Sequence, residues 1–328
     1  MTKFGILGAG RIGKVHAATI ANSANATVSY VADAMPEAAA ALAQSVGAAV
    51  KSVDEIIASD VDAVLIATPT DTHADLIEQA ARVGKAILCE KPVSLSVERI
   101  EALLPVVEQA GVPLMIGFNR RFDPNFQALQ GRIAQGEIGD VELVTIISRD
   151  PAPPPVSYIA RSGGLFRDMM IHDFDMARFL VGEDFVTVHA LGAALVDKGI
   201  GEAGDVDTAS VQMQTASGKI AVITNSRRAT YGYDQRIEAH GSMGMLRAGN
   251  VHMTTVERAD GAGFTADVIQ NFFIDRYVAA YANEVNAFIA AMQSGRTPTP
   301  SGHDGLQAQK LAEAATRSAQ TGQAVRVG

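Results

Sequence analysis

Three stretches of the chain combine residue types that can do chemistry. The first is Gly8-Ala9-Gly10-Arg11-Ile12-Gly13, a GxGxxG run between an apolar segment and a helical one. In such a turn the first glycine permits the tight bend and the second lets the backbone approach a pyrophosphate. The third allows close packing of helix on sheet. The helix that begins there offers free N–H groups and the positive end of its dipole to phosphates. Asp33 follows twenty residues after Gly13, where a carboxylate can accept from both hydroxyls of a ribose. The structural alternative is that it caps the helix starting at Pro36. Ala34 and Met35 come next, so no cation stands ready for a 2′-phosphate, and the expected cofactor is NAD rather than NADP.

The second stretch is Glu90-Lys91-Pro92. It closes an apolar run at the carboxyl edge, where open α/β sheets bind ligands. A lysine held there by a proline can donate to a substrate hydroxyl; a solvated surface lysine is the plain alternative. The third is Gly163-Gly164-Leu165-Phe166-Arg167-Asp168-Met169-Met170-Ile171-His172-Asp173-Phe174-Asp175. Asp168 and His172 are four residues apart on a predicted helix and so share a face. A histidine titrates near neutrality and suits removal of a hydroxyl proton as hydride leaves the same carbon. Asp168 would orient hydroxyls and stabilise a charged His172, against the alternative of a helix-surface hydrogen bond. Three carboxylates with one histidine make a poor transition-metal cage, so no metal is expected. Asp173 and Asp175 are expected to be structural.

The elements that must position these residues follow from the apolar pattern. Phe4–Leu7, Thr27–Ala32, Ala63–Ala67, Ala86–Cys89 and Val112–Gly117 read as strands. Between them Arg11–Asn22, Pro36–Val46, Asp71–Val83 and Val97–Gln109 read as helices. The alternation predicts a doubly wound parallel sheet with helices on both faces. After Arg120 the rhythm changes. A helix over Pro124–Gln135 precedes strand-like runs at Val141–Ile147, Val186–Leu195, Ala209–Thr215, Lys219–Asn225 and Arg236–His240, with Ser217-Gly218 as a hairpin signal. One helix, Arg167–Val181, interrupts them. The prediction is an α/β protein: an N-terminal Rossmann domain over residues 1–119, then an α+β domain over 120–328 on a largely antiparallel open sheet. The second would carry substrate binding and oligomerisation. The tail, Asp275–Gln293 and Asp304–Ser318, reads as helices able to pack back on the first domain. Pro151–Pro155 has the extended bias of a wall or lid beside a cleft.

Composition narrows the partners. The 328 residues are 48% hydrophobic and 19% charged, which describes a well-buried globule rather than a disordered chain. A formal net charge of −9 disfavours nucleic acid and anionic lipid as general partners. One cysteine, Cys89, excludes a disulfide framework and points to the reducing cytosol. No run approaches the ~18 apolar residues of a membrane span, and Met1-Thr2-Lys3 leads straight into a strand rather than a signal peptide. About five strands with one obvious covering helix leave a sheet face in need of a partner, so a symmetric homo-oligomer, dimer or tetramer, is expected.

Taken in order, GAGRIG, Asp33, Glu90-Lys91-Pro92, Gly117-Phe118-Asn119-Arg120-Arg121-Phe122-Asp123 and the GG-x3-D-x3-HD-x-D block resemble the Gfo/Idh/MocA oxidoreductases. Ser148-Arg149-Asp150-Pro151, the Gly163–Asp175 block and Tyr231-Gly232-Tyr233-Asp234 narrow the resemblance to members that oxidise inositols. The resemblance implies a Rossmann domain with NAD and a neutral small-molecule polyol as substrate. It implies Lys91, Asp168 and His172 as the catalytic Lys, Asp and His, with His172 as general base. Arg120, Asp150 and Tyr233 fall where they would line the polyol pocket with Lys91, Asp168 and His172. Tyr231 is expected in sheet packing. Cofactor contacts are expected from Gly8, Gly10, Arg11, Ile12, Gly13, Asp33, Thr68, Pro69, His73, Glu90 and Lys91. Some members carry His and Asn where this chain has Ser148-Arg149-Asp150, a departure that bears on isomer preference rather than reaction type. Two other readings stand beside this one: a related sugar or aldose dehydrogenase, and a non-catalytic NAD-binding regulator.

Overall fold

The computed structural model describes residues 1–328, the side chain of Ala160 excepted. The first part runs β1 (Thr2–Leu7), α1 (Arg11–Ala21), β2 (Ala26–Ala32), α2 (Pro36–Val46), β3 (Ala49–Val50) and α3 (Val53–Ile57). It continues with β4 (Ala63–Ile66), α4 (His73–Arg82), β5 (Ala86–Glu90), α5 (Val97–Ala110) and β6 (Leu114–Gly117). Then come α6 (Pro124–Ala134), β7 (Val141–Arg149), α7 (Val156–Ser162), α8 (Leu165–Asp168), α9 (Ile171–Val181), β8 (Phe185–Ala193) and α10 (Lys198–Glu202). The strands β9 (Thr208–Thr215), β10 (Ile220–Ser226), β11 (Asp234–Gly241), β12 (Gly244–Ala248), β13 (Glu257–Asp260) and β14 (Gly263–Ala266) follow. The chain ends with α11 (Phe273–Arg276), α12 (Val278–Ser294), α13 (Gly302–Thr321) and β15 (Val325–Arg326).

The chain divides into two compact units, residues 1–122 with 279–309, and residues 123–278 with 310–328. The first holds a six-stranded sheet in the order β3-β2-β1-β4-β5-β6, with every pairing parallel. Its central strands are buried on both faces; all four residues of β4 and the first four of β5 are buried. That is why they read as unbroken apolar runs rather than alternating ones. Strand order reverses between β1 and β4, so the carboxyl ends of these strands flank the crevice where a doubly wound sheet takes its ligand. Phe288 of α12 closes against Phe4 of β1, ring centroids 6.1 Å apart.

The second unit is built on a mixed seven-stranded sheet, β12-β11-β7-β10-β9-β8-β15. Only β7 and β10 pair in parallel there. Along β9, β10 and β11 buried residues alternate with less buried ones, as expected of a sheet covered on one face. The other face leaves Leu143, Leu191, Ile220 and Met245 exposed. Among the described residues no helix is long and apolar enough to cross a membrane.

Two expected helices differ. The one expected over Asp71–Val83 opens as a 3-10 turn, Thr70–Thr72, and turns α-helical at His73. The single helix expected over Arg167–Val181 is two: α8 ends at Asp168, and α9 starts at Ile171 after Met169 and Met170. Asp168 and His172 therefore do not share one helix face, and the four-residue spacing argument is corrected. Gly163 and Gly164, both with positive φ, and the Asp205 carboxylate accepting from Leu165 N at 3.0 Å set the start of the short first helix.

Candidate active site

In the first unit the GxGxxG run joins the end of β1 to α1. Gly8 has φ +106, and a Cβ there would lie 2.4 Å from the Ala67 carbonyl oxygen. A Cβ on Gly13 would lie 2.0 Å from the Gly8 carbonyl oxygen. Both positions demand glycine. Gly10 caps α1 with no side-chain hydrogen bond, and a Cβ there would meet nothing within 4 Å. The first turn of α1 thus presents backbone N–H groups of Arg11 and Ile12 beside an open cradle, which fits a pyrophosphate. Asp33 ends β2 at half burial; its Oδ2 accepts from Ala9 N at 2.6 Å and its Oδ1 from Met35 N at 2.8 Å. The carboxylate therefore ties the glycine turn to the β2–α2 loop, a bond the sequence reading did not foresee.

Thr68 and Pro69 follow β4 at the same sheet edge. His73, expected among the cofactor contacts, is 2% exposed. Its Nδ1 lies 2.8 Å from the Pro92 carbonyl oxygen and its Nε2 2.8 Å from that of Thr68. The ring sits between these two backbone carbonyls, one of which accepts its N–H, and so braces the two loops. Glu90, also expected beside the cofactor, sets its Oε1 2.6 Å from His16 Nε2. Lys91 follows at half burial, and its bond to Pro92 is cis. Arg120 lies in the 3-10 turn Asn119–Phe122 and is 5% exposed.

The second unit holds Asp168 and His172. Asp168, at the last position of α8, accepts from Tyr158 Oη at 3.3 Å through Oδ1 and from Arg227 Nη2 at 3.3 Å through Oδ2. Arg227 is 2% exposed; a buried guanidinium fixes the orientation of the carboxylate it faces. His172 is half-buried in the first turn of α9. Asp173 and Asp175 are fully buried, and Asp173 accepts from Asn225 Nδ2 of β10 at 2.9 Å. Arg227 and Tyr158 were missed by sequence reasoning, because neither carries a motif.

Asp150 follows β7, its N–H donating to the Ser226 carbonyl at 3.0 Å. Tyr233 is 6% exposed and sets its ring edge-on to Tyr277, centroids 5.9 Å apart. Tyr231 does not pack into the sheet as expected: it is 52% exposed, donates to Asp234 Oδ2 at 2.6 Å and accepts from Arg149 Nη1 at 2.8 Å. Asp234 is the hub, with Arg236 and Asn250 also donating to it. Burial opposes its charge, yet these donors hold its carboxyl below the usual range.

A Rossmann sheet with a phosphate cradle, followed in the chain by a second unit on a mixed sheet, is the make-up of a nicotinamide-dependent oxidoreductase. Residues 2–118 match the model of an oxidoreductase family with an NAD-binding Rossmann fold, and residues 126–247 match the GFO/IDH/MocA C-terminal domain. The chain is 59% identical over 317 residues to the inositol 2-dehydrogenase of Rhizobium meliloti strain 1021, covering 96% of each. It is 43% identical to the myo-inositol 2-dehydrogenase of Thermotoga maritima, covering 99% of this chain and 98% of that one. The solved scyllo-inositol dehydrogenase of Lactobacillus casei, with bound NAD(H) and scyllo-inositol, superimposes with a TM-score of 0.93 at 30% identity, covering 100% of this chain and 99% of that one. This chain belongs to the Gfo/Idh/MocA oxidoreductases, and its cofactor is NAD.

Asp33 tests how that cofactor is chosen. Charge-assisted hydrogen bonds contribute about 1.5–3 kcal/mol each, so Asp33→Ala is expected to weaken NAD binding by at least about tenfold. NADP, which the carboxylate repels, loses less, and the ratio of the two dissociation constants narrows. Equal losses for both would mean that Asp33 serves only to hold Ala9 and Met35.

Proposed function

We propose that this chain is an inositol 2-dehydrogenase that oxidises myo-inositol to 2-keto-myo-inositol (scyllo-inosose). The observation that carries the reading is the 59% identity to the Rhizobium meliloti inositol 2-dehydrogenase across 96% of both chains. Bound NAD supplies the hydride acceptor. His172 takes the proton of the reacting hydroxyl, and Lys91 donates to that oxygen as negative charge develops on it. Asp168, steadied by Arg227, accepts from substrate hydroxyls and balances the imidazolium. Arg120, Asp150 and Tyr233 complete the set of polar groups facing the ring. Gly8, Gly10, Arg11, Ile12 and Gly13 hold the pyrophosphate, Asp33 the ribose, and Thr68 and Pro69 border the nicotinamide side. We assign His73 and Glu90 to bracing rather than contact.

A neutral polyol suits such a site. When several hydroxyls are each matched to a buried polar group, the wrong isomer leaves one unpaired and is rejected strongly. The exposed apolar residues on the open sheet face, among them Leu191 and Ile220, support association of that face with its copy in a dimer or tetramer. The buried thiol of Cys89 fits a reducing cytosol.

The reading is tested by following NADH absorbance across inositol stereoisomers and common aldoses. The highest kcat/KM is expected with myo-inositol. An aldose or another cyclitol ahead of it by tenfold would move the assignment to a related sugar or cyclitol dehydrogenase. NAD binding without turnover of any polyol would make the chain a regulator that kept the fold.

A further inference from the structure

Beneath the Glu90-Lys91-Pro92 turn, wholly inside the first unit, lies a group of titratable side chains that the proposed reaction does not use. Glu284, on α12, is fully buried, and neither of its carboxyl oxygens has a hydrogen-bond partner. One ligating atom each from Glu284, Glu90 and His16 lies within 4.8 Å of the others. His16, on α1, is 1% exposed and packs its ring edge-on against Tyr281. Its Nε2 is 2.6 Å from Glu90 Oε1, and its Nδ1 is buried without a partner. That pattern places the ring proton on Nε2, donated to Glu90, since a buried lone pair costs less than a buried orphan N–H. Glu90 is packed from a third side. A Cβ on Gly117 of β6, its partner in the strand register, would lie only 3.0 Å from the Glu90 carboxyl carbon.

A carboxylate as deeply buried as Glu284, with no donor and a second carboxyl beside it, cannot stay ionised, because like charges in one dry site do not both form. A proton resolves both problems at once. It neutralises Glu284 and gives it a donor directed at Glu90, through one carboxyl rotation or one bridging water. A metal ion fits less well. Ligand atoms around a tetrahedral zinc with bonds of ~2.0–2.1 Å stand about 3.3 Å apart, whereas His16 Nε2 and Glu90 Oε1 are at hydrogen-bond distance, 2.6 Å.

We propose that Glu90 and Glu284 share one proton, and that this acid pair, buttressed by His16 and Gly117, fixes the direction in which Lys91 leaves the sheet. Glu284 is then a positioning residue for the reaction, and this role rests on the reading of Lys91 given above. Burial, and then the neighbouring charge of Glu90, push the Glu284 carboxyl well above its usual range. Glu90 from β5 and His16 from α1 are the titratable groups whose atoms reach it, and Lys91 is next along the chain. The folded state holds the Glu284 proton at pH values where the unfolded chain has released it. Stability from this group is therefore lost as pH rises above the ordinary carboxylate range.

Three measurements test the proposal. Infrared difference spectra between the wild type and Glu284→Gln at neutral pH are expected to contain the carbonyl band of a protonated carboxylic acid, absent from the variant. The melting temperature of Glu284→Gln should gain on the wild type as pH rises from about 5 to 8. In turnover, Glu284→Gln, which keeps a donor, should retain kcat within about threefold. Glu284→Leu should lose about 10–100-fold in kcat with KM for NAD little changed, because a misplacement near 1 Å can cost that much. Absence of the acid band with a flat pH difference overturns the shared proton. Equal kcat for the Gln and Leu variants overturns the positioning role, and a chelator-induced loss restored by zinc makes the cluster a metal site. Lys91→Ala run alongside separates the two readings: full activity there would sink the role of Lys91, while the infrared result would still report on Glu284.

Discussion

Replacing His172 with alanine is expected to lower turnover by about 10²–10⁴-fold, the usual contribution of a positioned general base, while NAD binding survives. Binding should survive because the phosphate cradle at Gly8–Gly13 and the Asp33 carboxylate belong to the first unit, and His172 to the second. Lys91→Ala should also slow turnover, since the reacting oxygen loses its donor as it gains charge. If both residues act on one proton-transfer step, their effects are not additive, and the double variant is little slower than the worse single one. In the wild type the oxidation rate should climb with pH through one ionisation, because the base must be unprotonated to accept. Steady-state kinetics across pH on the four proteins decide the matter. Unchanged turnover and an unchanged profile in His172→Ala would make it a structural residue of α9 and move the base to Lys91 or Asp168.

Much of this architecture is written locally in the chain. Strands β1, β4 and β5 are legible because a strand covered on both faces must be continuously apolar, and glycine or a polar turn must end it. Gly8 and Gly13 are legible because backbone crowds where their Cβ atoms would stand. The break between α8 and α9 is not legible. Leu165 to Val181 has the composition of a continuous helix, and nothing in it marks the break at Met169 and Met170; the start of α8 is set by glycines at 163 and 164 and by Asp205, forty residues downstream. The hairpin β13–β14 escapes for a different reason: all its residues are exposed, so no buried face imprints a period of two.

The same distinction runs through the site. Residues that act through a backbone turn announce themselves by spacing, whereas those that act through a partner do not. Arg227 reaches Asp168 across 59 residues and Glu90 reaches His16 across 74. Neither distance is a repeat of any secondary structure, so no reading of periodicity could join them. His73 shows the converse. Its place at the mouth of the sheet is legible, but the two backbone carbonyls between which its ring sits, those of Pro92 and Thr68, are not. Glu90, in a motif that points at the cofactor, likewise meets His16, a partner no spacing announces.

The largest effect on stability is expected from a pair that reading the sequence did not join. Asp123 is fully buried, and its Oδ1 accepts from Asn125 N at 3.0 Å and Phe126 N at 3.1 Å, capping α6. Both of its oxygens also accept from the Arg276 guanidinium, the Nη2–Oδ1 bond measuring 3.0 Å. Arg276 is 7% exposed and lies over the rings of Phe126 and Tyr277. Burial is the largest single influence and works against the guanidinium's charge, but the Asp123 carboxylate together with Tyr277 and Tyr233 outweighs it and holds its pKa above the ordinary value. Removing one partner of such a pair strands a buried charge and costs about 3–5 kcal/mol. Asp123→Ala should therefore destabilise the second unit by that amount, with about 1 kcal/mol more for the lost cap. Asp123→Asn keeps an acceptor for the cap and should cost less. Adding Arg276→Met to Asp123→Asn should recover most of the loss, because replacing both charges with groups of similar volume removes the stranded cation. Denaturant unfolding of the four proteins measures each step. A cost below about 1 kcal/mol for Asp123→Ala would place the pair in the range of solvent-screened surface bridges, and its burial would have to be given up.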